Sequence, residues 1–177
     1  MICLIRQASR MKFCQIATLM LISAMALSAA VDGDEFRLMR DEAIGALKIG
    51  LSREQAIKIV GASPKAGRIE EWDADSQFHQ QLTFKNAGIS LSMVSKTKSS
   101  PQTTESITAV APCALTTKKG IHIGSSEAEV MKAYERNHNK EESTTGSSFV
   151  AGSTYGGISF QIKNGKVSQI FLGAASE

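Results

Sequence analysis

A Ser followed three residues later by Gln or Glu, at the start of a short amphipathic stretch, occurs twice in this chain. The two pairs are Ser52 with Gln55 and Ser126 with Glu129. In a capping box, the Ser side chain accepts a hydrogen bond from the third helical N–H, and the Gln or Glu side chain accepts one from the Ser backbone N–H. The pattern therefore predicts two short helices, the first of them over residues 52–60.

Alternating apolar and polar residues follow each predicted helix and indicate strands, because side chains alternate between the two faces of a sheet. The predicted strands cover residues 68–72, 80–85, 89–93 and 106–111 after the first helix, and 149–153, 157–162 and 167–172 after the second. The hairpin FQIKNGKVSQI matches LTFKNAGISLS. Asn164-Gly165 favours a type I′ turn, since both residues tolerate a positive φ.

The order of these elements predicts an α+β fold made of two helix-plus-antiparallel-meander repeats. We expect residues 31–111 to form the first repeat and residues 112–177 the second. A repeat of roughly 60–70 residues is marginal as an independent domain, so the two should pack together. A shared antiparallel sheet with helices on one face would leave the other face free for a partner. An additional amphipathic helix is predicted over residues 32–47.

The N-terminal residues have the composition of a secretory signal. Arg6, Arg10 and Lys12 precede an apolar stretch over residues 13–30, which ends in small side chains. This order favours cleavage after Ala29 or Ala30 and export to the periplasm or the medium. The alternative is a retained membrane anchor, although several polar residues interrupt the stretch.

Charge and cysteine content restrict the partners of the exported part. Residues 1–30 hold three of the 20 basic residues and none of the 17 acidic ones, so residues 31–177 carry 17 of each and are formally neutral. A neutral chain argues against nucleic acid or an anionic membrane as partner. Cys113 is the only cysteine after residue 30, which excludes an internal disulfide. Without a lipid-acceptor Cys after the apolar stretch, the exported part is not expected to be membrane-anchored.

The residues predict no catalytic set, cofactor or metal. His79 follows Asp73 and Asp75 closely enough to outline a metal site, but a solvated strand and turn is the favoured interpretation. Ser95 and Lys98 match the Ser-x-x-Lys spacing only at a strand end, whereas that chemistry needs one helical turn.

Three residues are candidates for contact with a partner: Trp72, His79 and Tyr155. Aromatic side chains dominate the energetics of protein interfaces. Tyr155 lies among Thr and Gly residues, which favours exposure. For Trp72 a place in the core is the favoured interpretation. The remaining cysteine, Cys113, is expected to be a small buried hydrophobe.

The motif Ile-Gly-x-Ser-x-x-Gln/Glu, a short helix, and strands ending in Asn-Gly-Lys-Val resemble a known fold. It is shared by the β-lactamase inhibitor protein and the small lipoprotein of the outer-membrane β-barrel assembly machinery. The tandem arrangement is more similar to the inhibitor protein, in which two units form one concave sheet. None of that protein's inhibitory contact residues can be transferred, because no matching motif is present.

The resemblance implies a non-enzymatic protein-binding module of the bacterial envelope, such as an inhibitor, whose partner is another envelope or secreted protein. The alternative is a periplasmic protein that binds a small ligand or acts in envelope stress. A deep, mostly apolar pocket would favour the alternative, and exposed aromatic residues on a shallow face would favour the protein binder.

Overall fold

The computed structural model describes residues 34–175; the expected signal over residues 1–30 lies outside them. The helices are α1 (Asp34–Asp41), α2 (Arg53–Val60) and α3 (Glu127–Tyr134), with 3₁₀ turns at Lys85–Ala87 and Glu135–Asn137. The strands are β1 (Lys65–Trp72), β2 (Gln77–Phe84), β3 (Ile89–Ser95), β4 (Thr103–Val110), β5 (Ser148–Ser153), β6 (Gly156–Lys163) and β7 (Lys166–Gly173). They form one antiparallel sheet in the order β1-β2-β3-β4-β7-β6-β5, which confirms the α+β class and the shared sheet.

One face of this sheet, the core face, holds the hydrophobic core. Residues that lie opposite one another across six strands are all buried there: Leu82, Leu91, Ile107, Leu172, Ile158 and Ala151. The helices pack on this face: the Tyr134 ring lies 5.1 Å from that of Phe160, and Ala56 is fully buried in the same cluster. The opposite face, the open face, is rich in Ser, Thr and Gln, as expected for the alternate positions.

Both predicted capping boxes are present. The Ser52 hydroxyl accepts from the Gln55 N–H at 3.3 Å, and the Ser126 hydroxyl accepts from the Glu129 N–H at 3.3 Å. In both boxes the Gln or Glu side chain also accepts from the Ser backbone N–H. The two helices therefore begin by the same local mechanism, as the sequence predicted.

The residues just before each helix also bond to the sheet in the same way. Ahead of α2, the Gly50 N–H donates to the Thr104 carbonyl and the Thr104 N–H donates to Leu51, both at 2.8 Å. Ahead of α3, the Gly124 N–H donates to Val167 and the Val167 N–H donates to Ser125, again both at 2.8 Å. The strand that receives the helix is thus β4 in the first half and β7 in the second.

These hydrogen bonds make β4 equivalent to β7. The sequence match had instead made the β2–β3 hairpin equivalent to the β6–β7 hairpin. Seen from the core face with β2 and β6 pointing the same way, β3 lies to one side of β2 and β7 lies to the other side of β6. No rotation that keeps the core faces together therefore superposes the two hairpins. A half-turn about the normal to the sheet, between β4 and β7, instead exchanges β2-β3-β4 with β5-β6-β7. The two-repeat plan is therefore not confirmed in its predicted register, and β1 has no counterpart strand.

The two turns explain the mismatch. In the first hairpin the chain turns directly after a core-facing pair, Phe84 and Ile89. In the second it continues by one outward-facing pair, Lys163 and Lys166, before the two-residue turn. That turn has positive φ at Asn164 and Gly165, as predicted for type I′. The two turns have similar sequences, yet the strand that follows the turn lies on opposite sides of the preceding strand in the two hairpins.

The predicted helix over residues 32–47 is wrong beyond Asp41, where α1 ends. The next residue, Glu42, is buried and its carboxylate accepts from the backbone N–H groups of Ala43 and Lys118. Gly45 then adopts a φ of +61°. Tertiary hydrogen bonds thus replace the helical ones. Of the predicted apolar face, Ala43, Ile44 and Leu47 are buried, whereas Phe36 is 42% exposed.

The two edges of the sheet are finished differently. Residues 138–144 cover the outer edge of β5: the Asn139 N–H donates to the Val150 carbonyl at 2.9 Å, and the Val150 N–H donates to the Ser143 hydroxyl at 3.0 Å. Among residues 34–175 nothing pairs with the outer edge of β1, whose side chains are mostly exposed.

Candidate functional site

A buried histidine lies on the open face of the sheet, near the outer edge formed by β1. His79 is only 4% exposed, although its neighbours in β2 on that face, Gln77 and Gln81, are not buried. The solvated strand and turn expected from the sequence is therefore wrong for this residue. A buried histidine requires partners for its ring nitrogens, since an unpaired buried polar group is costly.

Two carboxylates supply those partners. His79 Nε2 lies 2.9 Å from Asp75 Oδ2, and His79 Nδ1 lies 3.1 Å from Glu105 Oε2. A neutral imidazole has one N–H and can donate to only one carboxylate, whereas the imidazolium donates to both. Each ring nitrogen of His79 therefore has a carboxylate oxygen within hydrogen-bond distance.

Each carboxylate is also held by other groups. The Gln77 backbone N–H, followed by the His79 ring, keeps the pKa of Asp75 below its ordinary value. Glu105 Oε2 accepts a second hydrogen bond from the Ser92 hydroxyl at 3.2 Å. Asp75 therefore stays ionised at neutral pH, and both acceptors are positioned by the sheet and its hairpin.

A β-bulge brings Glu105 to the histidine. In the β3–β4 ladder, Ser92 faces Ser106 and Met93 faces Thr104, which leaves Glu105 as an extra residue in β4. Bulges redirect a side chain and occur often beside functional sites. Sequence analysis missed Glu105, although the two residues between inward-facing Thr104 and Ile107 break the alternation and mark the bulge.

Trp72 covers the histidine. Its ring lies 3.9 Å from the His79 ring, centroid to centroid, with 15° between the planes. Trp72 is nevertheless 40% exposed, so the expected place in the core is wrong. The reason is that Trp72 faces Gln77 at the end of β1, on the same side of the sheet as His79 and away from the helices. The result is an exposed aromatic ring on a fixed support.

The hairpin tip around Trp72 is acidic. Glu70, Glu71, Trp72, Asp73 and Asp75, here called the acidic tip, contain four carboxylates, and no Lys or Arg occurs from residue 69 to residue 84. All five residues are exposed. The tip thus combines local negative charge with an immobilised indole, although residues 31–177 as a whole are neutral.

The ligand atoms of Asp75, His79 and Glu105 lie within 4.8 Å of one another, a spacing that could also surround a metal ion. However, the two carboxylates bond to opposite nitrogens of the ring. An ion on either nitrogen would have only one carboxylate on its side, whereas structural and catalytic metal sites use three or four ligands. The arrangement fits a histidine ring held between two carboxylates better than a metal centre.

Nothing in this arrangement forms a nucleophile–base pair. The nearby hydroxyl of Ser92 bonds to Glu105 rather than to the His79 ring. Elsewhere, the Ser95 hydroxyl donates to the Thr97 carbonyl at a strand end. Cys113 is buried as expected, and burial raises the pKa of its thiol, which disfavours the reactive thiolate.

Tyr155, the third candidate, does not join Trp72 and His79. It is 73% exposed at the β5–β6 hairpin tip, which confirms its expected exposure. Because β1 and β5 run in the same direction, both hairpin tips leave the same end of the sheet. The two tips are five strand spacings apart, roughly 24 Å across the sheet. The candidates therefore form one pair and one distant residue.

Two depressions in residues 34–175 can be compared with a small-molecule site. The larger, of about 450 Å³, is wide open to solvent and is lined by residues 136–141 and Gly152. The other, of about 20 Å³, lies beside Phe171 and Ser159 on the open face. Neither resembles the enclosed, mostly apolar cavity typical of a small-molecule site.

A second buried polar cluster, on the core face, has a structural role. The fully buried Tyr134 hydroxyl donates to Glu42 Oε2 at 2.9 Å. Burial and the neighbouring Glu42 carboxylate raise the pKa of the Tyr134 hydroxyl. Since Glu42 also accepts from the Lys118 N–H at 2.9 Å, this cluster connects the N-terminal segment, the connector between the halves, and α3.

In comparisons with known proteins, no family model, no curated protein and no solved structure matches this chain. Across residues 34–175, none of the helices has both the length and the apolar character needed to cross a membrane.

Proposed function

We propose that this chain is an exported, non-enzymatic protein-binding module of the bacterial envelope, and that it binds its partner through the open face beside Trp72. The observation that carries the proposal is the exposed Trp72 ring stacked on a buried His79 that two carboxylates hold. An aromatic ring that is already immobilised loses little conformational entropy on binding. Such rings are the usual energetic centres of protein interfaces.

The surroundings of Trp72 also suit a protein surface. The open face is broad and mostly polar, with neutral Ser, Thr and Gln side chains that can form a hydrated rim around an aromatic anchor. This favours a protein partner over the alternative, a small-ligand or envelope-stress binding protein, which would need an enclosed pocket. The likeness to the inhibitor protein, itself a binding module, supports the same class.

We further propose that the chain contains two copies of one unit in a register shifted by one strand. The first copy comprises α2 with β2-β3-β4, and the second comprises α3 with β5-β6-β7. Four equal backbone hydrogen bonds of 2.8 Å at Thr104 and Val167 support this equivalence. In this scheme β1 is an addition to the first copy, and the candidate recognition residue Trp72 lies on the added strand.

Site-specific photo-crosslinking in the producing organism tests the protein-binding proposal. A photoreactive amino acid replaces Ala74 in the acidic tip of the full-length chain. In a parallel chain it replaces Ala128, which is also exposed but lies on α3. We expect a discrete protein adduct from position 74 and none from position 128. Trp72→Ala should abolish the adduct, because it removes the anchor.

Val110→Ala is the matched control, because Val110 is a similarly exposed apolar residue, at 38%, distant along the open face. It should leave the adduct unchanged. The thermal unfolding midpoint of each variant verifies that it is folded. Equal adducts from positions 74 and 128, or an adduct that survives Trp72→Ala, would refute the proposal. Absence of any adduct, with thermal stabilisation by a small molecule, would favour the small-ligand alternative.

A further inference from the structure

We propose that the acidic tip binds an arginine-bearing segment of the partner, with the guanidinium stacked on the outer face of Trp72. This inference rests on the proposed function and specifies the chemistry of the partner.

The carboxylates of the tip are only partly neutralised within the chain. The His79 ring is the one basic group bonded to the site, and Asp75 and Glu105 already share it. Among residues 34–175, Glu70, Glu71 and Asp73 make no ion pair. The tip therefore retains negative charge that a cationic partner could neutralise.

The indole has one free face. Its inner face is covered by the His79 ring at 3.9 Å, while 40% of the side chain remains exposed. Glu70 faces His79 across the β1–β2 ladder, so its carboxylate rises from the same side of the sheet as the indole. A cation on the outer face would lie over the π system and beside at least one carboxylate.

Arginine fits this combination better than lysine. Its planar guanidinium stacks on aromatic rings and can form two parallel hydrogen bonds to a carboxylate. The lysine ammonium is more strongly hydrated and lacks the planar surface. Cation–π contacts are strongest with Trp, the residue present here.

The β5–β6 hairpin tip, at the other edge of the sheet, differs from the acidic tip. Tyr155 is more exposed than Trp72, but residues 153–157 carry no charge and Tyr155 stacks on no other ring among the described residues. Lys96 and Lys98 leave the same end of the sheet in the β3–β4 loop, and neither pairs with the acidic tip. The negative aromatic surface is thus confined to the β1–β2 tip.

The test uses Trp72 as its own reporter, because it is the only tryptophan in the chain. The exported chain, residues 31–177, is titrated with a short Gly/Ser peptide that carries two arginines. Two matched peptides carry lysine, which keeps the charge, or citrulline, which keeps the shape and removes the charge. We expect saturable fluorescence changes with arginine, and at least about tenfold weaker binding with citrulline.

Salt and charge variants complete the test. Raising the salt from about 0.05 M to about 0.5 M should weaken binding of the arginine peptide several-fold. Glu70→Gln combined with Asp73→Asn should weaken it as well. Glu135→Gln combined with Glu141→Gln, the same charge change on distant exposed residues, should leave it unchanged.

Equal binding of the arginine and citrulline peptides, an equal effect of the two double variants, or no saturable change would overturn the inference. The two proposals fail separately. A protein adduct at position 74 without arginine binding would overturn only this inference. Arginine binding without an adduct would overturn the protein-binding proposal and leave the chemistry of the tip established.

Discussion

The two halves of the sheet receive their helices in the same way but end differently at their outer edges. At the outer edge of β5, residues 138–144 occupy the backbone groups, and the hairpin tip is uncharged. The first half instead adds β1, which carries Trp72 and the acidic tip and whose outer edge pairs with nothing among residues 34–175. The comparison teaches that the shared features stabilise the fold, whereas the candidate site lies where the halves differ. Each prediction below tests one side of this contrast.

The largest expected difference lies between the two turn glycines. Gly88 and Gly165 both have positive φ. A Cβ added at Gly88 would come within 2.2 Å of the Val110 carbonyl oxygen, whereas a Cβ added at Gly165 would have no atom within 4 Å. Gly88→Ala should therefore lower the free energy of unfolding by at least about 3 kcal/mol, from backbone strain plus overpacking. Gly165→Ala should lower it by about 1 kcal/mol. Urea unfolding measures both, and similar losses would refute the assigned contacts.

The next effect concerns the buried hydrogen bond between Tyr134 of α3 and Glu42. Tyr134→Phe removes the hydroxyl that donates to the buried Glu42 carboxylate. The loss of a hydrogen bond to a buried charged group should cost about 2 kcal/mol. Tyr155→Phe, the same substitution at an exposed position, should change stability by less than about 0.5 kcal/mol. If Tyr134→Phe were neutral in urea unfolding, Glu42 would not depend on this donor.

The capping boxes of α2 and α3 test whether the two halves are structurally equivalent. Ser52→Ala and Ser126→Ala should each cost about 1 kcal/mol, since each removes one helix cap. The costs should match and should add in the double variant, because the caps lie in different helices. Thermal unfolding of the two single variants and the double variant measures this. A cost for one cap more than twice that for the other would break the proposed equivalence.

The smallest effect is the pH dependence that Glu129 adds to the second box. The Ser126 N–H, and then the Ser126 hydroxyl, keep the pKa of Glu129 below its ordinary value, whereas the matching residue in the first box is the non-titrating Gln55. A lowered pKa stabilises the fold above the unfolded value of about 4.3 and less so as the pH falls below it. Glu129→Gln should therefore reduce the loss of stability between about pH 5 and pH 3. An unchanged pH profile would contradict this role for Glu129.

Local patterns in the sequence predicted the elements well. Ser52, Ser126 and Asn164-Gly165 act within a few residues of themselves, so their roles can be read without knowing the fold. All seven strands were predicted to within a few residues, because the alternation of apolar side chains continues along each strand. The helix expected over residues 32–47 was too long, because Glu42 bonds to the distant Lys118 N–H, which periodicity cannot reveal.

The candidate site was predicted only in part. His79 and Asp75 were recognised as neighbours four residues apart, and Trp72 and Tyr155 as possible anchors. The sequence could not show that Glu105, 26 residues beyond His79, would meet the ring through a bulge. Nor could it place Trp72, because a single aromatic at a strand end suits either face of a sheet until the pairing register is known.

The amino-acid sequence alone thus determined the two helix caps, the positions of the strands to within a few residues, most of the apolar core, and the neutrality of residues 31–177. These properties depend on short-range geometry and on composition. The order of the strands, the handedness of each hairpin and the meeting of Trp72, His79 and Glu105 were decided only by the tertiary structure. The physical reason is that antiparallel pairing can join the same strands in several orders, and only the packing of all core faces against the helices selects one.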